Sequence, residues 1–224
     1  MEGILGELGR VSQSGRGLGW QEARESYRKT LTRLAQDHPV SREIADQWFV
    51  DLDAFVGGDE HVNIRLDRES NRIYKITKAD QFGCSVIFDP HDAELTGFNF
   101  LARGNDDPFI YLNRWQLLNS IGDYQTRFEG FVAPEREGWM PRICMSQPVL
   151  TDPVPNQKDI THSLNPFGYF PVSSGAYYSP DSDILLTDTF PRNVRIQDGN
   201  PALFDSIASR PTEPARKWLH KKLS

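Results

Sequence analysis

The chain has 224 residues, of which 38% are apolar and 25% charged, with a formal net charge of -6. That length suits one domain, or a domain with an appendage, whose core needs no covalent staples. The acidic balance and a pI near 5.4 argue against nucleic acid as a partner.

No apolar run reaches transmembrane length, and the N-terminus lacks a basic-then-apolar leader, so neither a membrane nor a secretory route is expected. Cys84 and Cys144 are too few for a disulfide framework or a four-cysteine zinc site. The expectation is a cytoplasmic protein with both thiols reduced and buried. His38, His61, His91, His162 and His220 never pair at metal-site spacing.

Residues 1–19 are rich in Gly and Ser and predict a flexible arm. From Gln21 to Asp37, Ala23, Tyr27, Leu31 and Leu34 recur at helical spacing, and Pro39 ends the run. A second short helix is expected from Ser41 toward Trp48. Residues 20–48 thus form a helical preface, a brace or a dock for a protein partner. Gly57-Gly58 signals a turn, and two alternating strands follow, His61–Leu66 and Arg72–Thr77.

Residues 79–108 show little periodicity and predict an irregular connection. A helix is expected from Phe109 to Ile121, then strands at Phe128–Val132 and Arg142–Ser146. Residues 151–183, with five prolines, read as loop with one short helix from Gln157 to Leu164. Ile184–Thr187 is an apolar run. Val194–Gln197 and Ala202–Asp205 flank Asp198-Gly199, a two-residue hairpin signal. Residues 209–224 form a basic tail, helical around Trp218.

The chemistry has clear absences. The chain holds no G-x-S-x-G elbow, no P-loop and no complete G-x-G-x-x-G. Four residues form an ordered set instead. Lys75 lies in a strand, Asp188 and Asn193 share one loop, and Asp205 follows a hairpin. Phosphoryl transfer from a nucleotide uses such a set: a lysine on the phosphates, an Asp at the acceptor hydroxyl, and an Asn and a second Asp on Mg²⁺.

Asp188-Thr189-Phe190-Pro191-Arg192-Asn193 resembles the D-x-x-x-x-N catalytic loop of the protein-kinase-like superfamily. Ile73-Tyr74-Lys75 resembles its lysine strand, and Leu203-Phe204-Asp205 its metal-binding strand. Gly58-Asp59-Glu60-His61 followed by Arg72–Lys78 is similar to the kinase domain of phage and mobile-element polyvalent proteins. Phe128–Val132 and Ser146-Gln147-Pro148 fit that family's strand and hinge.

The resemblance spans residues 50–207 and implies an α+β, protein-kinase-like bilobal fold. Its N-lobe would be an antiparallel sheet with one αC-like helix, over residues 49–150, and its C-lobe a reduced one, over residues 151–208. It implies ATP and Mg²⁺ as cofactors. Asp188 and Lys75 take the catalytic roles. Gly57, Gly58, Glu60, His61, Lys75, Ser146 and Gln147 contact the nucleotide, and Asn193 and Asp205 hold the metal.

The chain departs from the family in several places, with Thr187 where the catalytic loop usually has Arg and Ser206 where Phe usually follows the metal-binding Asp. It has no full glycine-rich loop, and no acid lies between Phe109 and Ser120 to pair with Lys75, which leaves Glu60, Glu94 and Glu129. Only 19 residues follow Asp205. The implied activity is phosphotransfer to a hydroxyl of a protein or small molecule. The alternatives are an inactive pseudokinase that binds nucleotide or a partner, AMP transfer on the same scaffold, and a noncatalytic partner-binding protein.

Overall fold

The computed structural model describes residues 1–14, 19–41, 44, 61–78, 80–89, 100–104, 107–134 and 136–224. The architecture is mixed α+β, with five α-helices and several antiparallel sheets among the described residues. No helix there is long and apolar enough to cross a membrane. The chain forms two compact units, each built from three segments. Unit 1 comprises residues 1–83, 104–112 and 126–149. Unit 2 comprises residues 84–103, 113–125 and 150–224.

Unit 1 opens with helix α1 (Glu2–Ser14), where a flexible arm was expected. Ile4, Leu5 and Leu8 share one face of that helix and are buried. They pack on α2 (Trp20–Asp37), whose Tyr27, Leu31 and Leu34 are also buried. The glycines that suggested an arm do not prevent this. Gly3 and Gly6 face open space, while Gly9 lets the Phe109 ring come close. Burial of an apolar stripe outweighs about 1 kcal/mol of helix propensity lost per glycine. The expected second helix lies almost wholly outside the described residues, as do residues 45–60.

A four-stranded antiparallel sheet follows, in the order β1-β2-β6-β5. Its strands are β1 (His61–Asp67), β2 (Arg72–Thr77), β5 (Arg127–Val132) and β6 (Arg142–Pro148). The end of α2 is stitched to β5. The Val40 N–H donates to the Phe131 carbonyl at 3.0 Å, and the Phe131 N–H to the His38 carbonyl at 2.9 Å. Gly130 permits this. Its φ is +135°, and a Cβ there would stand 2.7 Å from the Val40 nitrogen.

Helix α3 (Pro108–Leu118) lies where a helix was expected, but ends at Leu118 rather than Ile121. Asp107 caps it, accepting from the Phe109 N–H at 2.8 Å, with Pro108 in the first turn. Burial pushes the Asp107 carboxyl up, against hydrogen bonds from Tyr27, Phe109 and Ser12.

Unit 2 holds a second antiparallel sheet, in the order β12-β9-β8-β7. These strands are β7 (Phe170–Ser173), β8 (Ala176–Ser179), β9 (Ile184–Thr187) and β12 (Ile207–Ser209). A separate hairpin pairs β10 (Val194–Gln197) with β11 (Asn200–Leu203). Asp198 and Gly199 turn it with φ of +49° and +83°, the sign a tight two-residue hairpin demands.

The pair β3 (Cys84–Phe88) and β4 (Phe100–Gly104) occupies the segment expected to be irregular. Neither cysteine forms a disulfide among the described residues, and Cys84 is partly exposed rather than buried. Helix α4 (Gln157–Leu164) has the expected bounds, because Asn156 and Asp159 form a capping box at its start.

Residues 209–224 are more than a tail. Helix α5 (Glu213–Leu223) supplies Ala215 and Leu219 to a core with Phe100, Val172, Ala176, Tyr178 and Leu185. Trp218 lies against Phe88 and Phe100, at ring separations of 5.7 and 5.9 Å.

Candidate functional site

Three of the residues singled out by sequence converge in unit 2. Strand β9 ends at Thr187, and the next residue, Asp188, has φ +52°. This left-handed turn is one that Asp tolerates better than most residues. The loop then enters a short 3-10 turn at Pro191–Asn193, closed by the Asn193 N–H donating to the Phe190 carbonyl at 2.8 Å.

Asn193 is buried and gives its amide to Asp188 twice. Nδ2 reaches the Asp188 carbonyl at 2.7 Å and Oδ2 at 2.8 Å. Both partners are acceptors, which fixes the amide orientation. Asp205 follows β11 and donates its backbone N–H to the Asn193 carbonyl at 3.4 Å. The β10–β11 hairpin thus brings Asp205 back beside Asn193.

The loop is pinned from outside. The Thr189 N–H donates to the Gly175 carbonyl at 3.0 Å. Gln157 Nε2 donates to the Thr189 carbonyl at 3.0 Å and to the Tyr177 hydroxyl at 2.8 Å. The Phe190 ring sits on Gly175, where φ is +62° and a Cβ would fall 2.4 Å from Cζ. Only glycine fits there.

The electrostatics single out Asp188. Burial is the largest influence and pushes its carboxyl above the usual carboxylate range. Arg192 and the Asn193 amide oppose this, Asp205 adds to it by like charge, and Arg114 draws it down. The Arg192 contact to Asp188 Oδ1 measures 2.5 Å, but that arginine is 69% exposed and stacks over Phe190.

Beside the loop, the hydroxyls of Thr187 and Ser206 are buried and find no hydrogen-bond partner among the described residues. Arg114 of α3 is 2% exposed. Its Nε donates to the Ser206 carbonyl and its Nη2 to the Asp205 carbonyl, both at 2.9 Å.

Among the described residues, no three His, Cys, Asp or Glu side chains converge into a metal cage. Magnesium does not need one, since it is commonly held by one or two protein oxygens, waters and substrate phosphates. Asn193 fits that role. Both bonds of its nitrogen turn inward, and no described residue donates to its Oδ1. The Asp205 side chain is 42% exposed and supplies a second hard oxygen donor.

The other candidates lie in unit 1. Lys75 is buried in β2, opposite Ile64 on β1 and Met145 on β6. Its neighbour Tyr74 pairs with Ser146. Ser146 bonds the Arg72 guanidinium at 2.8 Å and also donates to Glu129. Alternation puts Lys75 on the opposite face of the sheet from that cluster, so Glu129 is not placed as its partner.

The backbone of Ser146 is committed to β2 on one side and β5 on the other. The Gln147 side chain donates to Thr126 at 3.1 Å. His61 is buried and shares a hydrogen bond of 2.9 Å with the Tyr111 hydroxyl. These three side chains therefore serve internal networks. Gly57, Gly58, Glu60 and Glu94 lie outside the described residues.

Sequence reasoning missed Arg114, Gln157 and Gly175. Arg114 was the one charge on an otherwise uncharged helix, and Gly175 sat in a Ser-Ser-Gly turn. Comparisons with protein-family models, curated proteins and solved structures return no match to this chain.

Proposed function

We propose that this protein is a Mg²⁺- and ATP-dependent phosphotransferase of kinase-like architecture. The observation that carries the reading is the joining of Asp188, Asn193 and Asp205 through direct hydrogen bonds across a hairpin. In this reading Asp188 receives the proton of the acceptor hydroxyl. Burial raises its pKa above the usual carboxylate value, the direction that makes a carboxylate a better proton acceptor. Asn193 and Asp205 hold the cation that neutralises the phosphates, and Lys75 binds phosphate oxygens.

Further support comes from unit 1. The lysine strand β2 is hydrogen-bonded directly to β6, the strand that the resemblance assigns to the hinge.

The test is ADP release from ATP and Mg²⁺, with intact mass of the protein, for wild type and Asp188→Ala. ADP release lost in the variant supports the reading, and no release from the wild type sinks it. A mass gain equal to AMP would move the assignment to nucleotidyl transfer.

A second reading, a nucleotide-binding pseudokinase, is favoured by the Arg192 guanidinium against Asp188 and by the absence of any acid on α3. It predicts nucleotide binding without turnover.

A further inference from the structure

We propose that Arg114 is the positioning residue of Asp205, fixing it as a ligand for the divalent cation that accompanies a nucleotide phosphate. This deepens the phosphotransfer reading and rests on it.

Arg114 is the only charged residue of α3. A buried guanidinium is costly unless acceptors surround it. Here two successive backbone carbonyls meet its planar fork, those of Asp205 and Ser206. Two donors at fixed separation hold two consecutive peptide units, which sets the direction in which the Asp205 side chain leaves the backbone.

The carboxylate itself stands 3.9 Å from Nη2, an electrostatic contact longer than a hydrogen bond. Arg114 thus grips the Asp205 backbone and leaves the carboxylate 42% exposed. Among the described residues the turn has no side-chain anchor at Ser206, whose buried hydroxyl finds no partner there. Its fixation comes through the carbonyls.

The chemistry favours this device. Magnesium demands near-octahedral geometry and tolerates displaced ligands poorly. Groups that orient a metal ligand typically contribute ten- to a hundredfold in affinity. Lysine keeps the charge but cannot present the fork, so Arg114→Lys separates charge from positioning.

The experiment is Mn²⁺ binding to the full chain with ADP present, read by electron paramagnetic resonance, for wild type, Asp205→Asn and Arg114→Lys. Both variants are expected to bind Mn²⁺ at least about tenfold more weakly than wild type. Loss in Asp205→Asn with unchanged binding in Arg114→Lys overturns this inference and leaves the phosphotransfer reading standing. Absence of Mn²⁺ binding by the wild type overturns both.

A second measurement needs no variant. The Arg114 Nε–H resonance of the wild type, bonded to the Ser206 carbonyl, is expected to shift when Mg²⁺ and ADP are added. A resonance that stays in place while the cation binds overturns the inference.

Discussion

Asp183 and Asp188 stand at the two ends of β9, with nearly equal left-handed φ of +51° and +52°. Each has an arginine against it. Asp183 accepts from Arg216 Nε and Nη2, at 3.1 and 2.8 Å, and from the Tyr178 hydroxyl at 2.9 Å. Those bonds hold its carboxyl below the usual range. Asp188 has the exposed Arg192 on one oxygen and Asn193 on the other, and burial with Asp205 beside it pushes its carboxyl up. One strand therefore carries a partly exposed carboxylate that latches α5 and a half-buried one with a second acid near enough to raise it. The backbone is the same, and the partners decide the role.

The contrast breaks most sharply in turnover. Asp188→Ala is expected to lower ADP release by about 10²- to 10⁴-fold, the usual worth of a positioned acid or base. Asp183→Ala should leave the rate per folded molecule within about threefold, since the Asp183 carboxyl bonds Arg216 and Tyr178 rather than the residues of the loop. Equal losses would erase the distinction.

Gly175→Ala comes next. A methyl group would collide with Phe190 at a positive φ. We expect a loss of about 2–4 kcal/mol in urea unfolding, from overpacking and backbone strain together. Phe190→Ala in the same chain should recover part of it, which shows that the ring and the turn act as a unit.

A smaller effect separates the acids by pH. The Asp183 carboxyl is held low, so its contribution is present above its ordinary pKa and lost as pH falls through the folded value. Asp183→Asn should lower Tm by about 2–4 °C at neutral pH, with the gap closing in acid. The smallest effect has the opposite sign. Asp188 is raised, so folding is favoured by its protonated form and weakened as pH rises through its folded value. Asp188→Asn should raise Tm by about 1–2 °C at neutral pH and by nothing in acid.

Local signals carried some elements into the structure unchanged. The capping box at Asn156 set the start of α4, and the Asp198-Gly199 turn set the β10–β11 register, with Gln197 opposite Asn200. The spacing from Asp188 to Asn193 also lay within one loop, so the pair was legible before any fold.

The rest depended on distant partners. Strands β7 and β8 are four residues each, and β7 carries Pro171, so neither shows a period. They exist because β9 pairs with β8 and α5 covers them. Helix α1 was hidden by its glycines, since only the packed face of α2 makes it worthwhile. Arg114 stands out as the one charge on α3, but nothing local says what it binds, because its acceptors lie 91 and 92 residues away.

The place of α5 also bears on how the chain is made. Phe100, Val172 and Tyr178 share a core with Leu219. During synthesis they remain uncovered apolar surface until α5 emerges, a window in which chaperones and aggregation compete with folding. A premature stop or a proteolytic nick before Glu213 would leave that surface bare in every molecule. Truncation there should act as a degradation signal for the whole protein, long before the chemistry of the loop is at issue.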